Sequence, residues 1–275
     1  MIATVHIGGA AYRVDLGAGL DVSIPLAFGG PQPSAFGIPP ATAEPFEAGG
    51  FVGDVQRGGS CNVSTLRLTP HGNGTHTESV AHLVSDGPPV HTVAPKGLVP
   101  ATLVSLTPEP AFACPDAYDP APAANDRLLT RRALEAALAG AGEAFLEALV
   151  VRTRPNPPDK RHRDYLDQPP PFFSLDAMRY LVARGVRHLL LDLPSVDRLF
   201  DEGKLNAHRL FWGVPPGQRT STPETAMHRT ITEMVYVDDT VPDGRYLLAL
   251  HVPPFTSDAA PSRPVLYPLQ PVEPR

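Results

Sequence analysis

Three histidines and one carboxylate lie within the twelve residues His71-Gly72-Asn73-Gly74-Thr75-His76-Thr77-Glu78-Ser79-Val80-Ala81-His82. Imidazole nitrogens and carboxylate oxygens are the ligands that catalytic zinc and manganese sites use. If the segment is extended, His76 and Glu78 point to the same side, and His82 also lies at an even offset from His76. This density favours a metal site over the alternative, a solvated loop that happens to carry histidines.

Other motifs that use the same residue types do not fit this segment. Cys61 and Cys114 are too far apart for the paired cysteines of a zinc finger. No glutamate directly follows a histidine here, so the HExxH motif of metalloproteases does not fit. Gly72 and Gly74 do not form a phosphate-binding loop, because the lysine of that motif is missing.

The composition indicates a globular protein without a nucleic-acid or membrane function. Hydrophobic residues make up 42% of the 275 residues, which is enough for a normal core. The net charge is -6 and no basic tract stands out, which disfavours nucleic-acid binding. No run reaches the roughly 18 apolar residues of a membrane span, and the first residues do not resemble a signal peptide. Two cysteines fit a reducing compartment, so we expect a cytoplasmic protein.

Proline is unusually frequent, with 34 residues in 275 against an average of about 5%. The prolines cluster at 25–45, 88–122, 155–171 and 253–273. Because proline cannot continue a helix or a central strand, we interpret these clusters as ordered loops. The alternative is flexible linkers between domains. Apolar strand patterns flank each cluster, so we expect one domain over residues 1–275.

Hydrophobic periodicity predicts many strands and few helices. The predicted strands cover residues 3–7, 12–16, 21–25, 61–69, 90–93, 99–106, 145–152, 186–193, 230–237, 245–252 and 263–269, with the first two forming a hairpin.

Two helices are expected from their capping residues. Asp126 precedes an alanine- and leucine-rich run at 127–139, and Ser174 precedes an amphipathic run at 175–184 that Gly185 ends. A nearly continuous apolar strand follows the second helix, which is typical of an α/β layer. The sequence therefore predicts a mixed α/β fold with more strand than helix.

Three further polar sites remain ambiguous from the residues alone. Glu233 lies inside an apolar strand, where it is either paired or metal-bound, or faces solvent on an edge strand. His208 by itself is interpreted as an exposed histidine at a helix end. The segment 192–197 follows a buried strand, where functional loops are common in α/β folds. A simple turn, with Ser195 and Asp197 bonded to local backbone, is slightly favoured there.

Taken together, these landmarks resemble the cyclase-like metal-dependent hydrolases, the family that includes bacterial kynurenine formamidase and isatin hydrolase. The family signature is His-x-Gly-Thr-His-x-Asp-x-Pro-x-His, and residues 74–82 follow it closely. Residues 192–197 are similar to its Asp-x-Pro-Ser-Val/Ile-Asp landmark. A His-Arg pair at His208 and a later strand glutamate, Glu233, occur in the same order as in the family.

The sequence departs from the family pattern at several positions. The family's first histidine lies four residues before the second, but that position is Gly72 here and the nearest histidine, His71, lies five before His76. A one-residue bulge would bring His71 into place, and bulges occur beside active sites. Glu78 replaces the family aspartate and Val80 the proline. These changes indicate a divergent subfamily.

The resemblance implies a site for one or two ions of Zn²⁺ or Mn²⁺. A first ion would be held by His71, His76 and Glu78. A second ion, if present, would be held by Glu78, His208 and Glu233. The implied fold is a single α/β domain of the swivelling β/β/α type, with a central mixed sheet or barrel-like core and flanking helices.

The implied activity is metal-dependent hydrolysis of an amide, with His82 as the acid/base that protonates the leaving nitrogen. An arylformamidase acting on N-formylkynurenine in tryptophan catabolism is the first expectation. The alternatives are hydrolysis of a cyclic amide, lactone or ester by the same apparatus, and a non-catalytic metal- or ligand-binding protein. The resemblance also implies a homodimer or homotetramer, in which the proline-rich segment 25–45 is a candidate to approach the neighbour's site.

Overall fold

The computed structural model describes residues 1–272, which form a mixed α/β fold. The strands are β1 (Ile2–Ile7), β2 (Ala10–Asp15), β3 (Leu20–Asp21), β4 (Thr42–Pro45), β5 (Glu47–Ala48), β6 (Phe51–Val52), β7 (Ser64–Arg67), β8 (His76–Ser79), β9 (Leu98–Leu106), β10 (Glu109–Pro110), β11 (Arg127–Leu129), β12 (Ala148–Thr153), β13 (Phe172–Phe173), β14 (His188–Leu191), β15 (Thr230–Glu233), β16 (Gly244–His251), β17 (Ala259–Pro261) and β18 (Arg263–Pro271). The helices are α1 (Val90–Val93), α2 (Arg131–Ala137), α3 (Leu175–Ala183) and α4 (Asn206–Trp212).

One large mixed sheet dominates the fold. Its strand order is β1-β2-β18-β16-β9-β12-β14-β15-β8-β17, and β3 pairs with β18. Strands β9, β12, β14 and β15 are parallel, whereas the neighbours on both sides of this group are antiparallel. The predicted α/β class, with a mixed central sheet and flanking helices, is confirmed.

The central parallel strands are buried on both faces, which explains their nearly continuous apolar sequences. Leu149 and Leu189 belong to a core cluster that includes residues of α3 and α4, and the alternate residues Val150 and Leu190 belong to a second cluster. Successive residues of a strand point to opposite faces, so each cluster covers one face of the sheet.

Helix α3 forms where the sequence predicts it. The Ser174 hydroxyl accepts a hydrogen bond from the Ala177 N–H at 3.0 Å, which caps the first turn. Gly185 follows the helix with a φ of 74°, a left-handed conformation that glycine adopts readily. Leu175, Met178 and Leu181 are buried. The packed helix therefore ends where strand β14 can begin.

Two predicted elements are wrong. Val90–Val93 is a short helix rather than a strand, because a four-residue apolar run carries too little periodicity to distinguish the two. The predicted helix at 127–139 begins instead at Arg131, after strand β11. Asp126 does not cap it, because its carboxylate accepts from the Ala123 N–H at 2.7 Å, and Thr130 is the N-cap.

Within residues 1–272, every helix is too short or too polar to cross a membrane.

Candidate metal centre

The candidate site begins with two paired strands. Strands β8 and β15 are antiparallel, and their register places His76 opposite Glu233 and Glu78 opposite Ile231. His76, Glu78 and Glu233 are all buried. Strand β15 lies between β14 and β8, so the alternative of a solvent-facing Glu233 on an edge strand is wrong. Two carboxylates and an imidazole are thus placed together inside the sheet, which is unfavourable without compensating charge.

Helix α4 supplies a further histidine, His208, and the loop after β14 supplies the carboxylate of Asp197 beside it. His208 is buried in α4, not exposed at its end. Asp197 accepts from the backbone N–H groups of Ala207 at 2.7 Å and His208 at 3.0 Å, and lies 2.6 Å from His208 Nδ1. The opposite nitrogen, His208 Nε2, lies 3.0 Å from Glu78 Oε1 and 3.6 Å from Glu233 Oε1. The favoured interpretation of Asp197 as a local turn residue is therefore wrong.

His71 reaches the same centre from a 3-10 turn at Pro70–Gly72 rather than from a β-bulge. Its Nδ1 lies 3.2 Å from Glu78 Oε2, and its Nε2 lies 2.9 Å from Asp258 Oδ2. Gly72 packs so tightly that an added Cβ would lie 2.5 Å from Ile38 Cδ1. The position four residues before His76 therefore has no room for a side chain, and the histidine one residue earlier occupies the centre.

His82 lies at the rim of the centre, on a 3-10 turn at Val80–His82 that follows β8. The Ser79 hydroxyl caps this turn by accepting from the Ala81 N–H at 3.3 Å. His82 Nδ1 lies 3.4 Å from Asp258 Oδ2 and 3.9 Å from Glu78 Oε2. The strand ends before His82, but the turn still directs its ring toward the cluster.

The donor atoms fit a divalent cation. His71, His76 and Glu78 offer ligand atoms within 4.8 Å of one another, and so do Glu78, His82 and His208. His76 Nδ1 lies 3.0 Å from the Gly74 carbonyl oxygen, which leaves Nε2 facing inward. His76 Nε2 and Glu78 Oε2 are buried and make no well-oriented hydrogen bond among residues 1–272, although Glu233 Oε2 and His71 Nδ1 lie 3.4 Å and 3.2 Å from them. Buried polar atoms are almost always paired, so these two atoms indicate a missing ligand.

The charges of the cluster depend on one another. Burial by itself would raise the pKa of Glu78, but the adjacent His82 and His208 hold it well below its usual value. Burial would lower the pKa of His208, whereas Glu78 and Asp197 raise it well above the ordinary value. In the same way, Asp258 and Glu78 overcome the burial of His71 and raise its pKa to about 10. The buried carboxylates thus create a strong demand for positive charge, which protons or a cation can satisfy.

A cavity of about 400 Å³ opens over the cluster. Its lining includes His71, His82, Glu78, His208 and Glu233, together with four apolar side chains, Phe36, Ile38, Leu199 and Leu205. Phe36 and Ile38 come from the proline-rich segment 25–45, which therefore contributes to the cavity of its own chain. An apolar cavity with converging polar groups at its floor is typical of a small-molecule site.

The sequence of this chain matches the family described as putative cyclase over residues 14–198. The chain belongs to the cyclase family. The matched range contains His71, His76, Glu78 and His82, whereas His208 and Glu233 lie beyond it. A comparison with curated proteins gave no significant match.

Solved structures share the fold of this cyclase-family chain. An isatin hydrolase bound to the product analogue thioisatinate has a TM-score of 0.59 and 16% identity, and covers 93% of each chain. Isatin hydrolase A from Ralstonia solanacearum has a TM-score of 0.59 and 16% identity over 90% of this chain and 91% of its own. A predicted metal-dependent hydrolase from Bacillus stearothermophilus has a TM-score of 0.55 and 19% identity over 90% of this chain and 97% of its own. The chain thus has the fold of the cyclase-family metal-dependent hydrolases.

The structure brings together all six residues that the sequence analysis selected. They are His71, His76, Glu78, His82, His208 and Glu233. Neither Asp197 nor Asp258 was predicted from the sequence as a site residue. The first ends the landmark at 192–197, so its position carried a usable signal. Asp258 lies in a proline-rich segment with no recognisable motif, and only the fold places it beside His71.

Proposed function

We propose that this chain is a metal-dependent amidohydrolase, with hydrolysis of N-formylkynurenine to kynurenine and formate as the first candidate activity. The observation that carries the proposal is the convergence of three imidazole nitrogens on the buried carboxylate of Glu78 beneath an apolar cavity. Cyclase-family membership and the resemblance to kynurenine formamidase motifs support the reaction class.

His71, His76 and Glu78 would hold a first Zn²⁺ or Mn²⁺, because their ligand atoms lie within 4.8 Å of one another. Glu78, His208 and Glu233 would hold a second, since His208 Nε2 faces both carboxylates. When bound, such an ion polarises a carbonyl oxygen and makes water acidic enough to act as a nucleophile near neutral pH. Imidazole and carboxylate ligands suit both metals, so the donor set alone does not choose between them.

His82 is the residue placed to move a proton. It lies at the rim of the cluster and lines the cavity, so its ring can meet a substrate that enters there. Histidine ordinarily titrates near neutral pH, which suits proton donation to the nitrogen that leaves as the amide bond breaks. We propose His82 as the acid/base, and the adjacent Asp258 carboxylate lies 3.4 Å from its Nδ1.

The cavity walls favour an aromatic amide. Phe36, Ile38, Leu199 and Leu205 present apolar surface above the polar floor. These walls would bind an aryl ring and exclude water from the reacting carbonyl group. A volume of about 400 Å³ lies within the range of roughly 300–1,000 Å³ that small-molecule sites occupy.

A cyclic amide or lactone is the second candidate substrate. The fold matches isatin hydrolase structures over 90% or more of this chain. The same acid/base and ligand set could open such a ring, and the apolar cavity suits a fused bicyclic compound. Substrate choice between these two candidates depends on the cavity, not on the metal ligands.

Purified protein should be assayed against N-formylkynurenine and isatin with added Zn²⁺ or Mn²⁺ and with an EDTA control. We expect metal-dependent release of kynurenine, and we expect His76→Ala to abolish both metal binding and turnover. His6→Ala is the matched control, because His6 is exposed on β1. Hydrolysis of isatin alone would transfer the proposal to cyclic amides, and full activity in His76→Ala would refute a metal-dependent mechanism at this site.

We also propose a cytoplasmic homodimer or homotetramer. Several large apolar side chains are exposed on residues 36–66, which include part of the proline-rich segment 25–45. They are Phe36, Phe46, Val55, Val63 and Leu66. Burial of such a surface against a second copy would explain its composition. Light scattering tests this proposal, and a monomer at micromolar concentration would contradict it.

A further inference from the structure

Asp258 comes from a part of the chain far from the metal-ligand motif. It directly precedes β17, the edge strand that pairs with β8 and places Ala259 opposite Glu78. The Asp258 carbonyl oxygen accepts a hydrogen bond from the Ser79 N–H at 2.9 Å. Main-chain pairing therefore fixes this residue against the strand that carries the central carboxylate, whatever its side chain does.

One carboxylate oxygen of Asp258 contacts two histidines. Asp258 Oδ2 lies 2.9 Å from His71 Nε2 and 3.4 Å from His82 Nδ1. The His71 ring thereby has its outer nitrogen bound, and its inner nitrogen, Nδ1, faces Glu78. The carboxylate connects the histidine that departs from the family spacing to the histidine proposed as the acid/base.

The same arrangement occurs at the opposite side of Glu78. Asp197 lies 2.6 Å from His208 Nδ1, and His208 Nε2 lies 3.0 Å from Glu78 Oε1. In both cases an imidazole ring lies between an outer carboxylate and the carboxylate of Glu78. Metal-bound histidines usually donate their second N–H to such a carboxylate, which fixes the tautomer and the ring orientation.

We propose that Asp258 is a positioning residue, which orients His71 as a metal ligand and aligns His82 for proton transfer. This inference rests on the proposed function. It also accounts for the displaced histidine: His71 is carried by a 3-10 turn instead of a strand, and the Asp258 carboxylate supplies the orientation that strand geometry gives His76. The ligand of His71, once Asp258 has oriented its ring, would be a divalent cation.

The test compares Asp258→Asn and Asp258→Ala with the wild-type protein. Asparagine keeps the size and one oxygen acceptor but removes the charge. Alanine removes the charge and both oxygen acceptors. Zn²⁺ and Mn²⁺ affinities should be measured by competition with a chelating indicator, without substrate. We expect affinity to weaken by about 10–100-fold in Asp258→Ala and by less in Asp258→Asn. kcat should fall in both variants while KM changes little, because His82 loses the carboxylate that aligns its ring.

Ser257→Ala is the matched control. The Ser257 hydroxyl donates to the Ala259 carbonyl oxygen at 2.6 Å, so the substitution disturbs the same segment without touching His71 or His82. The control should keep wild-type metal affinity and kcat. Equal losses in Ser257→Ala and Asp258→Ala would overturn a specific positioning role, since loop disruption alone would then explain them.

The two proposals fail in distinguishable ways. Wild-type metal affinity and an unchanged kcat in both Asp258 variants would overturn the positioning role and leave the hydrolase proposal intact. Metal binding by wild type without hydrolysis of amides, lactams or lactones would refute the proposed function. The affinity ratio between Asp258→Ala and wild type would still decide the role of Asp258 toward His71.

Discussion

The two halves of the candidate metal centre are built differently. The inner half consists of His76, Glu78, His208 and Glu233, whose side chains are at most 3% exposed. The outer half consists of His71, His82 and Asp258, whose side chains are 23–39% exposed. Strand register and a helix position the inner half, whereas 3-10 turns and a loop carry the outer half.

This difference shows where the site is rigid and where the sequence can change. A residue on a central strand cannot shift by one position without turning to the other face of the sheet. A residue on a 3-10 turn has no such constraint, so His71 can lie five residues before His76 and still face Glu78. In the proposed site, the inner half would therefore set the position of the ion, and the outer half would adapt to it through polar contacts.

The strongest test of the inner half is Glu78→Gln, which keeps the side-chain volume and removes the charge. Glu78 faces His71, His82 and His208, so we expect loss of Zn²⁺ binding and a fall in kcat/KM on the order of a thousandfold or more. Metal titration and steady-state kinetics measure both effects. The control is Glu135→Gln on α2, where the carboxylate is exposed. Undiminished metal affinity would show that the inner half is not the binding unit.

For the outer half, His82→Ala should separate chemistry from metal binding. We expect kcat to fall by about 10²–10⁴-fold, the usual contribution of a general acid or base, while Zn²⁺ affinity changes only a few-fold. His91→Ala is the control, because its ring contacts the Phe255 carbonyl oxygen outside the cluster. If His82→Ala loses metal as fully as Glu78→Gln does, the two halves do not have separate roles.

From the residues alone, the sequence predicted His76 and Glu78 by their spacing and the α/β class by its periodicity, whereas the roles of His208 and Glu233 came from the resemblance to the cyclase-like family. The spacing of His76 and Glu78 indicates one strand face, and the hydrophobic run around Glu233 indicates a second strand. Only the fold shows that these two strands pair. The order of the strands in the sheet could not be derived, because β8 joins the sheet between β15 and β17 across large sequence distances.

In the outer half, the displaced spacing of His71 and the role of Asp258 could not be derived from the sequence, for a physical reason. His71 depends on a tight contact between Gly72 and Ile38, two residues 34 positions apart. Asp258 reaches the site only because β17 pairs with β8. Contacts of this kind come from tertiary structure and leave no periodic signal in the chain.

His188 is a buried histidine with no carboxylate partner among residues 1–272, so it can be compared with His208, which has two. His188 lies on β14, its Nδ1 is 2.9 Å from Thr230 Oγ1, and burial, assisted by Arg187 and His228, lowers its pKa from 6.5 to about 4. Between about pH 4 and pH 6.5, His188 is therefore protonated in the unfolded chain and neutral in the folded chain. The folded state loses stability as the pH falls through this range. The full loss is about 3 kcal/mol, to order of magnitude.

Urea unfolding of wild type and His188→Asn at pH 7.5 and pH 4.5 measures this contribution. The asparagine amide can replace the contact at Nδ1 but does not titrate. We expect the free energy of unfolding of wild type to fall more than that of the variant on acidification, because other titrating groups affect both proteins equally. Parallel losses would mean that His188 is not held neutral by burial.

The smallest effect is expected where the outer half meets the cavity wall. In Gly72→Ala, the new Cβ would lie 2.5 Å from Ile38 Cδ1 and 2.9 Å from Ile38 Cβ, so the turn at 70–72 must shift. Overpacking of this kind costs about 1–3 kcal/mol of stability. We expect a lower melting temperature and Zn²⁺ affinity reduced a few-fold, because His71 is adjacent. Gly97→Ala is the control, since a Cβ there meets no heavy atom within 4 Å in the described part of the chain. Adding Ile38→Ala to Gly72→Ala removes the 2.5 Å contact but keeps the Cβ at position 38, so it should restore part of the metal affinity. Without such restoration, the contact with Ile38 is not what holds the displaced histidine in place.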